Sequence, residues 1–197
     1  MLRLRLFPTD VYVREDCKID HKKLSNIILE KKKTEPSNNI SNAGGWQSES
    51  NLHKDEMFSE IVREVALSFQ ETIYEQINYK DGETRIEGMW ANVNMYRDYN
   101  LAHIHGNCEW SFVYYVKVPK NSGNLVLVDP RIRRAPSDVR GLIKNHDNLF
   151  NYDIFEAPLI QGNLILFPGW LDHYVQSNLS KQPRISIAGN VAMRSEI

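Results

Sequence analysis

The stretch HIHGNCEWSFVYYVKVP, residues 103–119, sets two histidines two positions apart, just ahead of a run of aromatic and β-branched residues that reads as a strand. In extended backbone the side chains alternate between faces. His103 and His105 therefore fall on one side, and both imidazoles can address a single object. Whether that object is a metal ion is the question the rest of the chain has to answer.

Working outward, the same short, β-rich texture continues on both sides of this stretch. IEGMWANVNMY, GNLVLVDPR, FEAPLIQGNLILFPGW and RISIAGNVAM are apolar or alternating runs punctuated by Gly, Pro and Asn. Upstream the pattern changes. DHKKLSNIILEKKK carries Leu24, Ile27 and Ile28 at helical spacing, and the KKK at 31–33 reads as a solvated helix end. From about Asp55 to Ile77, Phe58, Ile61, Val62, Val65, Phe69, Ile73 and Ile77 form one apolar stripe, which predicts a long helix lying on a sheet. Between the two helices TEPSNNISNAGGWQS reads as loop, with Trp46 exposed. The opening LRLRLFP alternates Leu2, Leu4 and Leu6 with arginines, the period of an edge strand stopped by Pro8. Strands collected behind N-terminal helices predict a mainly β fold, an antiparallel sandwich or small barrel buttressed by helices.

With 197 residues the chain fits one domain, read as helical and loop support over 1–84 and a β core over 85–197. A formal charge of -1 with both signs interspersed offers no electrostatic footprint for nucleic acid. No window approaches the roughly 18 apolar residues of a membrane helix, and the first residues lack the apolar core of a secretory signal. A soluble, cytoplasmic protein is expected, in the host cytoplasm if it is phage-encoded. Cys17 and Cys108 are too few for a disulfide scaffold and read as reduced thiols. The sequence leaves a homodimer open.

Three of the six histidines can converge. His103 and His105 share a face, and His173 follows GNLILFPGWLD, where a buried-looking strand runs into a Pro-Gly turn. Imidazole is a good ligand for divalent iron, and three protein ligands on one face of the ion leave positions open for substrate and oxygen. His21, His53 and His146 lie in polar surroundings and read as surface residues. Eleven residues past His173 comes Arg184, in PRISIAGNV, where Arg184 and Ser186 point to one side of the last strand. An arginine facing the inside of a sheet needs a carboxylate partner, either an acidic side chain or a bound dicarboxylate. Tyr115, and with it Tyr114, could add a hydroxyl to that carboxylate.

The order of these pieces resembles the double-stranded β-helix, a jelly-roll, cupin-like fold, of iron(II)- and 2-oxoglutarate-dependent oxygenases. HIHGNCEWSFVYYVKVP, SGNLVLVDPR, GNLILFPGWLDHYVQSN and RISIAGNV are similar to the prolyl-hydroxylase-like branch, and most of all to the small oxygenases of cyanophages and marine bacteria. SNAGGWQS resembles the N-terminal half of that group as well, so the likeness spans nearly the whole chain. The resemblance implies Fe(II), 2-oxoglutarate as cosubstrate and O2. It also implies a hydroxylation of an unactivated C–H bond with release of succinate and CO2. His103, His105 and His173 would be the metal ligands, while Arg184, Ser186 and Tyr115 would hold the distal carboxylate of 2-oxoglutarate. His105 stands where many relatives carry Asp. Either it is a ligand, or only one of His103 and His105 binds, or Asp129 of VDPR supplies the acid.

Two other readings stay open at this point. HIHGNCE also reads as H-x-H-x3-E, so a metal-binding cupin of another class could use Glu109 as a fourth ligand, though Arg184 and Ser186 then have no role. A non-catalytic binding sandwich could display Trp46, Trp90, Trp110 and Trp170. The substrate, whether a small molecule or a peptide, is not legible. Loop 36–52 and the segment RIRRAPSDVRGLIKN are the expected rims of a pocket. The basic Arg131, Arg133 and Arg134 read as solvated surface, with attraction of an acidic substrate as the alternative.

Overall fold

A computed structural model of the chain describes residue 2 and residues 7–74, 82–131 and 153–195. Most of the edge strand expected over residues 2–6 lies outside the described residues, as do Arg133, Arg134, His146 and most of the expected basic rim.

The strands are β1 (Tyr12–Arg14), β2 (Asn42–Ala43), β3 (Trp46–Gln47), β4 (Gly82–Asn94), β5 (Tyr99–His103) and β6 (Trp110–Lys117). They continue with β7 (Leu125–Val128), β8 (Ile154–Glu156), β9 (Leu164–Pro168), β10 (His173–Val175) and β11 (Arg184–Ser195). The helices are α1 (His21–Thr34) and α2 (Ser59–Phe69). One sheet runs β1-β9-β6-β11-β4-β3 and the other β2-β5-β10-β7-β8, with every strand pair antiparallel. From β4 onward, strands pass between the two sheets in jelly-roll order, as a double-stranded β-helix requires.

The first sheet has two different faces because its side chains alternate. On β4, Met89, Ala91 and Val93 point outward into a core completed by Leu24 and Ile28 of α1 and by Ile61, Val65 and Phe69 of α2. The intervening Trp90 and Asn92 point inward, toward the second sheet. Along β6, Phe112 and Tyr114 join the helix side while Tyr115 joins an inner cluster with Leu125, Leu127, Ile165, Phe167 and Leu171. The tyrosine pair of FVYYV is therefore split. Tyr115 faces the interior, and the Tyr114 hydroxyl bonds the ring Nε2 of His21 at 2.6 Å, a histidine expected on the surface and found half-buried against that ring.

Three further expectations change in the N-terminal half. Trp46 is buried, not exposed: β3 pairs with β4, and the indole Nε1 donates to the Glu35 carbonyl at 3.1 Å. The turn that swings β3 into place has Gly44 and Gly45 at φ 75° and 49°, where a side chain would be strained. The single helix expected over 55–77 is a 3₁₀ turn at Glu56–Phe58, then α2, then a π-turn at Gln70–Tyr74. The cause lies in the stripe: Ile61, Val65, Phe69 and Ile73 recur every four residues, a row that drifts by about 40° per step on a helix of 3.6 residues per turn. A wider π-turn takes up that drift and keeps Ile73 buried. His53, also expected on the surface, is half-buried.

Candidate active site

His103 ends β5 and His173 begins β10, and the two are register partners across that strand pair. His105 lies in the turn two residues past β5. That turn is held against the Pro-Gly turn after β9: the His105 N–H donates to the Gly169 carbonyl at 2.8 Å and the Gly169 N–H to the Glu109 carbonyl at 2.9 Å. A Cβ on residue 169 would sit 2.6 Å from the Cys108 carbonyl oxygen, so only glycine allows this approach.

The three rings converge, with one ring nitrogen from each within 4.8 Å of the others. Every Nδ1 already faces an oxygen. His103 Nδ1 is 2.7 Å from the Leu101 carbonyl, His173 Nδ1 is 2.8 Å from the Leu171 carbonyl, and His105 Nδ1 is 2.5 Å from Asn190 Oδ1. Carbonyl oxygens only accept, so each ring carries its proton on Nδ1 and turns the Nε2 lone pair to the centre. Nε2 of His105 and Nε2 of His173 stand 3.2 Å apart, an approach of two lone pairs that a cation between them relieves. Burial, reinforced by neighbouring His103, pulls the pKa of His105 down to about 4 and that of His173 down to about 3, so both rings are neutral, as metal ligation needs. Trp90 stacks on His105 with centroids 5.7 Å apart and planes 11° from parallel, locking the ring from its other side.

Among the described residues no carboxylate joins this cluster. Glu109 Oε2 accepts from the Met193 N–H at 2.8 Å, so the fourth ligand of the cupin alternative is turned away. Asp129 forms a two-pronged ion pair with Arg131, Nε–Oδ1 and Nη2–Oδ2 both 2.8 Å, and lines a separate groove with Asp153. It does not supply the missing acid. The display surface of the binding-sandwich alternative is also broken up, because Trp46 and Trp110 are buried and only Trp170 is largely exposed.

The same cavity, partly open to solvent, is lined by the three histidines at one part and by Tyr115, Arg184 and Ser186 at another. Val113, Leu125 and Phe167 form apolar walls between them. Arg184 is 2 % exposed, and its Nη1 donates to the carbonyls of Ser122 and Gly123 at 2.8 Å each and of Gln176 at 3.3 Å. Those bonds use one nitrogen. No acid is in salt-bridge contact with the guanidinium among the described residues, so its charge is not neutralised by a side chain. Burial lowers its pKa to about 10, opposed by Tyr115 and Asp98, which leaves it charged at neutral pH. The Tyr115 hydroxyl is buried without a hydrogen bond; burial raises its pKa, opposed by Arg184 and by the nearby Leu125 backbone. A buried cation beside an orphaned hydroxyl is a receptor for a carboxylate, and three converging imidazoles are a receptor for a divalent metal. The residues present fit both groups of the expected pair.

All six expected site residues thus line one cavity. Sequence reasoning missed Asn190 and Trp90, which orient His105. The signal was present in RISIAGNV, since Asn190 repeats the phase of Arg184, Ser186 and Ala188 along β11.

The family model described as "Putative 2OG-Fe(II) oxygenase" matches residues 88–190, just over half of the chain. No curated protein sequence matches. Among solved structures, the viral collagen prolyl hydroxylase of Paramecium Bursaria Chlorella virus-1, in its 2OG complex, is 12 % identical, with 94 % of this chain and 96 % of that one covered and a TM-score of 0.61. A prolyl-4-hydroxylase of Pseudomonas putida is 11 % identical over 96 % and 94 % of the two chains, with a TM-score of 0.60. HygX of Streptomyces hygroscopicus, solved with nickel, 2-oxoglutarate and hygromycin B bound, is 10 % identical over 93 % and 83 %, with a TM-score of 0.61. At these identities the structures establish the shared double-stranded β-helix, and the family match establishes the rest: this chain belongs to the 2-oxoglutarate- and Fe(II)-dependent oxygenases.

Proposed function

We propose that this oxygenase hydroxylates an unactivated C–H bond of a small-molecule or peptide substrate, with residues 1–197 acting as one catalytic domain. The observation that carries the reading is the single cavity holding three Nε2-facing imidazoles and, apart from them, a buried Arg184 without an acidic partner among the described residues. His103, His105 and His173 hold the metal, each oriented by an oxygen on its Nδ1. Arg184 grips the distal carboxylate of 2-oxoglutarate with the nitrogens its backbone bonds leave over, and Ser186 and Tyr115 add hydroxyls. Fe(II) with 2-oxoglutarate and O2 supplies the oxidising power, with succinate and CO2 as co-products. The protein's part is to bind, orient and keep water away. Val113, Leu125 and Phe167 wall the cavity with apolar groups, which strengthens the charge-assisted bonds inside it.

The charges support this pairing. Imidazole ligands bring no negative charge to offset a divalent metal, and Arg184 adds another positive charge, so a dianion that touches both is the complementary ligand. The experiment is a titration of 2-oxoglutarate into anaerobic Fe(II)-loaded protein, followed by admission of O2 and measurement of succinate against panels of peptides and metabolites. Binding followed by succinate release supports the assignment. No binding by the parent protein overturns it.

A further inference from the structure

Beside the three histidines, two carboxamides of largely buried residues find no side-chain partner among the described residues. Gln47 is 2 % exposed and Asn92 8 %. The Gln47 backbone is fully used, its N–H donating to Ser37 Oγ at 3.1 Å and its carbonyl accepting from the Asn38 N–H at 2.9 Å. Its side chain meets no partner among the described residues. Asn92 Oδ1 is buried and unpaired among the described residues. The two residues are register partners of β3 and β4, so their side chains stand next to each other on one face of the sheet.

Their position gives them a purpose. Asn92 lines the inner cavity and Gln47 lines the outer mouth, while Trp90, His103 and His105 line both. The pair therefore runs from the entrance to the metal centre. No Asp, Glu, Lys or Arg is among the described residues lining the mouth, and Ile40 and Ile104, 72 % and 56 % exposed, place apolar groups there. A buried amide oxygen without a partner is rare because it forfeits its bonds to water, and Asn92 Oδ1, with the open Gln47 carboxamide next to it, calls for a ligand.

We propose that Gln47, with Asn92 behind it, reads an uncharged amide group of the substrate, either a peptide bond or the carboxamide of a small molecule; this rests on the oxygenase reading above. Each carboxamide presents a carbonyl and an NH2 side by side. A carboxylate would satisfy only the donors and an ammonium only the acceptors, and either charge would enter a mouth that holds no counter-charge. An amide satisfies both halves. Ile40 and Ile104 then take the apolar groups flanking it.

The full chain is loaded with Zn(II), and 2-oxoglutarate is first titrated into the parent. Failure at this stage removes the oxygenase reading and with it the amide proposal, whereas failure at the probe stage alone removes only the amide proposal. With 2-oxoglutarate saturating, the side-chain NH2 resonances of Gln47 and Asn92 are followed by nitrogen-15 NMR, assigned from Gln47→Met and Asn92→Leu spectra. The probes are N-acetylglycine N-methylamide, isobutyramide, isobutyrate and isopropylammonium. One or both amide probes should move the two resonances saturably while the charged probes do not, and the stronger amide identifies the source as peptide or small molecule. Gln47→Met should weaken the amide probe by about fivefold or more. Gln47→Glu should shift preference to isopropylammonium, a gain that a misfolded variant could not show. Charged probes binding as well as amides, silence of both amide probes, or unchanged amide affinity in Gln47→Met overturns the proposal.

Discussion

His103 and His173 are direct partners across the β5–β10 ladder, with ring centroids 4.3 Å apart. They come from positions 70 residues apart in the chain, and His105 closes on them from the turn beyond β5. This pairing makes the proposed metal centre a property of the sheet, and it sets what each substitution should do.

His173→Ala should abolish iron binding, because the described residues hold no substitute ligand near it. At position 105, Asp should keep or strengthen binding, since it returns a negative charge to a site of neutral ligands, whereas Ala should weaken it. Calorimetric titration of Fe(II) under anaerobic conditions decides. Equal affinity in the parent and His105→Ala would remove His105 from the ligand set.

In the proposed metal site Asn190 acts through His105. Its Oδ1 accepts from the His105 ring at 2.5 Å and from Ser111 Oγ at 3.3 Å. Asn190→Ala frees the ring to rotate and to change tautomer, and should cost about 10–100-fold in metal affinity. Asn190→Asp keeps the acceptor and should retain most of that affinity. The visible spectrum of the Co(II) form offers a second readout, broadened in Asn190→Ala and sharp in Asn190→Asp. Identical spectra and affinities in all three proteins would show that Asn190 does not position the ligand.

Arg184→Met keeps the apolar stem and loses the guanidinium, so 2-oxoglutarate affinity should fall at least about tenfold, as expected for leaving a buried charge unpaired. Lysine at 184 should recover part of it, because the charge returns without the fork. Metal affinity should hold in both. The methionine variant also strands the carbonyls of Ser122, Gly123 and Gln176, so it should melt at a lower temperature than the parent. Unchanged 2-oxoglutarate affinity in Arg184→Met would separate Arg184 from the cosubstrate.

Acid should destabilise the metal-free protein. The folded-state pKa values of His105 and His173, about 4 and about 3, lie below the ordinary 6.5. Between those values the unfolded chain binds protons that the folded chain refuses, so stability rises with pH across this window. It is fully present above about pH 6.5 and is lost as pH falls toward 4 and then 3. Melting curves of metal-free parent and His173→Ala at pH 7.5 and pH 5 check this. The parent should lose more melting temperature on acidification than the variant, and parallel losses would contradict the burial of a neutral His173.

Much of this architecture could be read from the order and period of the residues. The crowding of short strands after residue 84, the two-residue spacing of His103 and His105, and the shared phase of Arg184 and Ser186 are local patterns, and the backbone periods of strands and helices translate them directly into faces. Asn190 was legible in the same way, once β11 was known to present that face to the metal. What the chain order could not decide were pairings between distant segments. The burial of Trp46 and Gln47 depends on β3 docking on β4, which turns a polar loop into one wall of the pocket. The exclusion of Glu109 and Asp129 depends on competing partners, a Met193 amide and the Arg131 guanidinium. The π-turn after α2 depends on the demand that Ile73 stay in the core. In each case a side chain's role was set by which partner lay within bonding distance after folding, and that distance exists only in the tertiary structure.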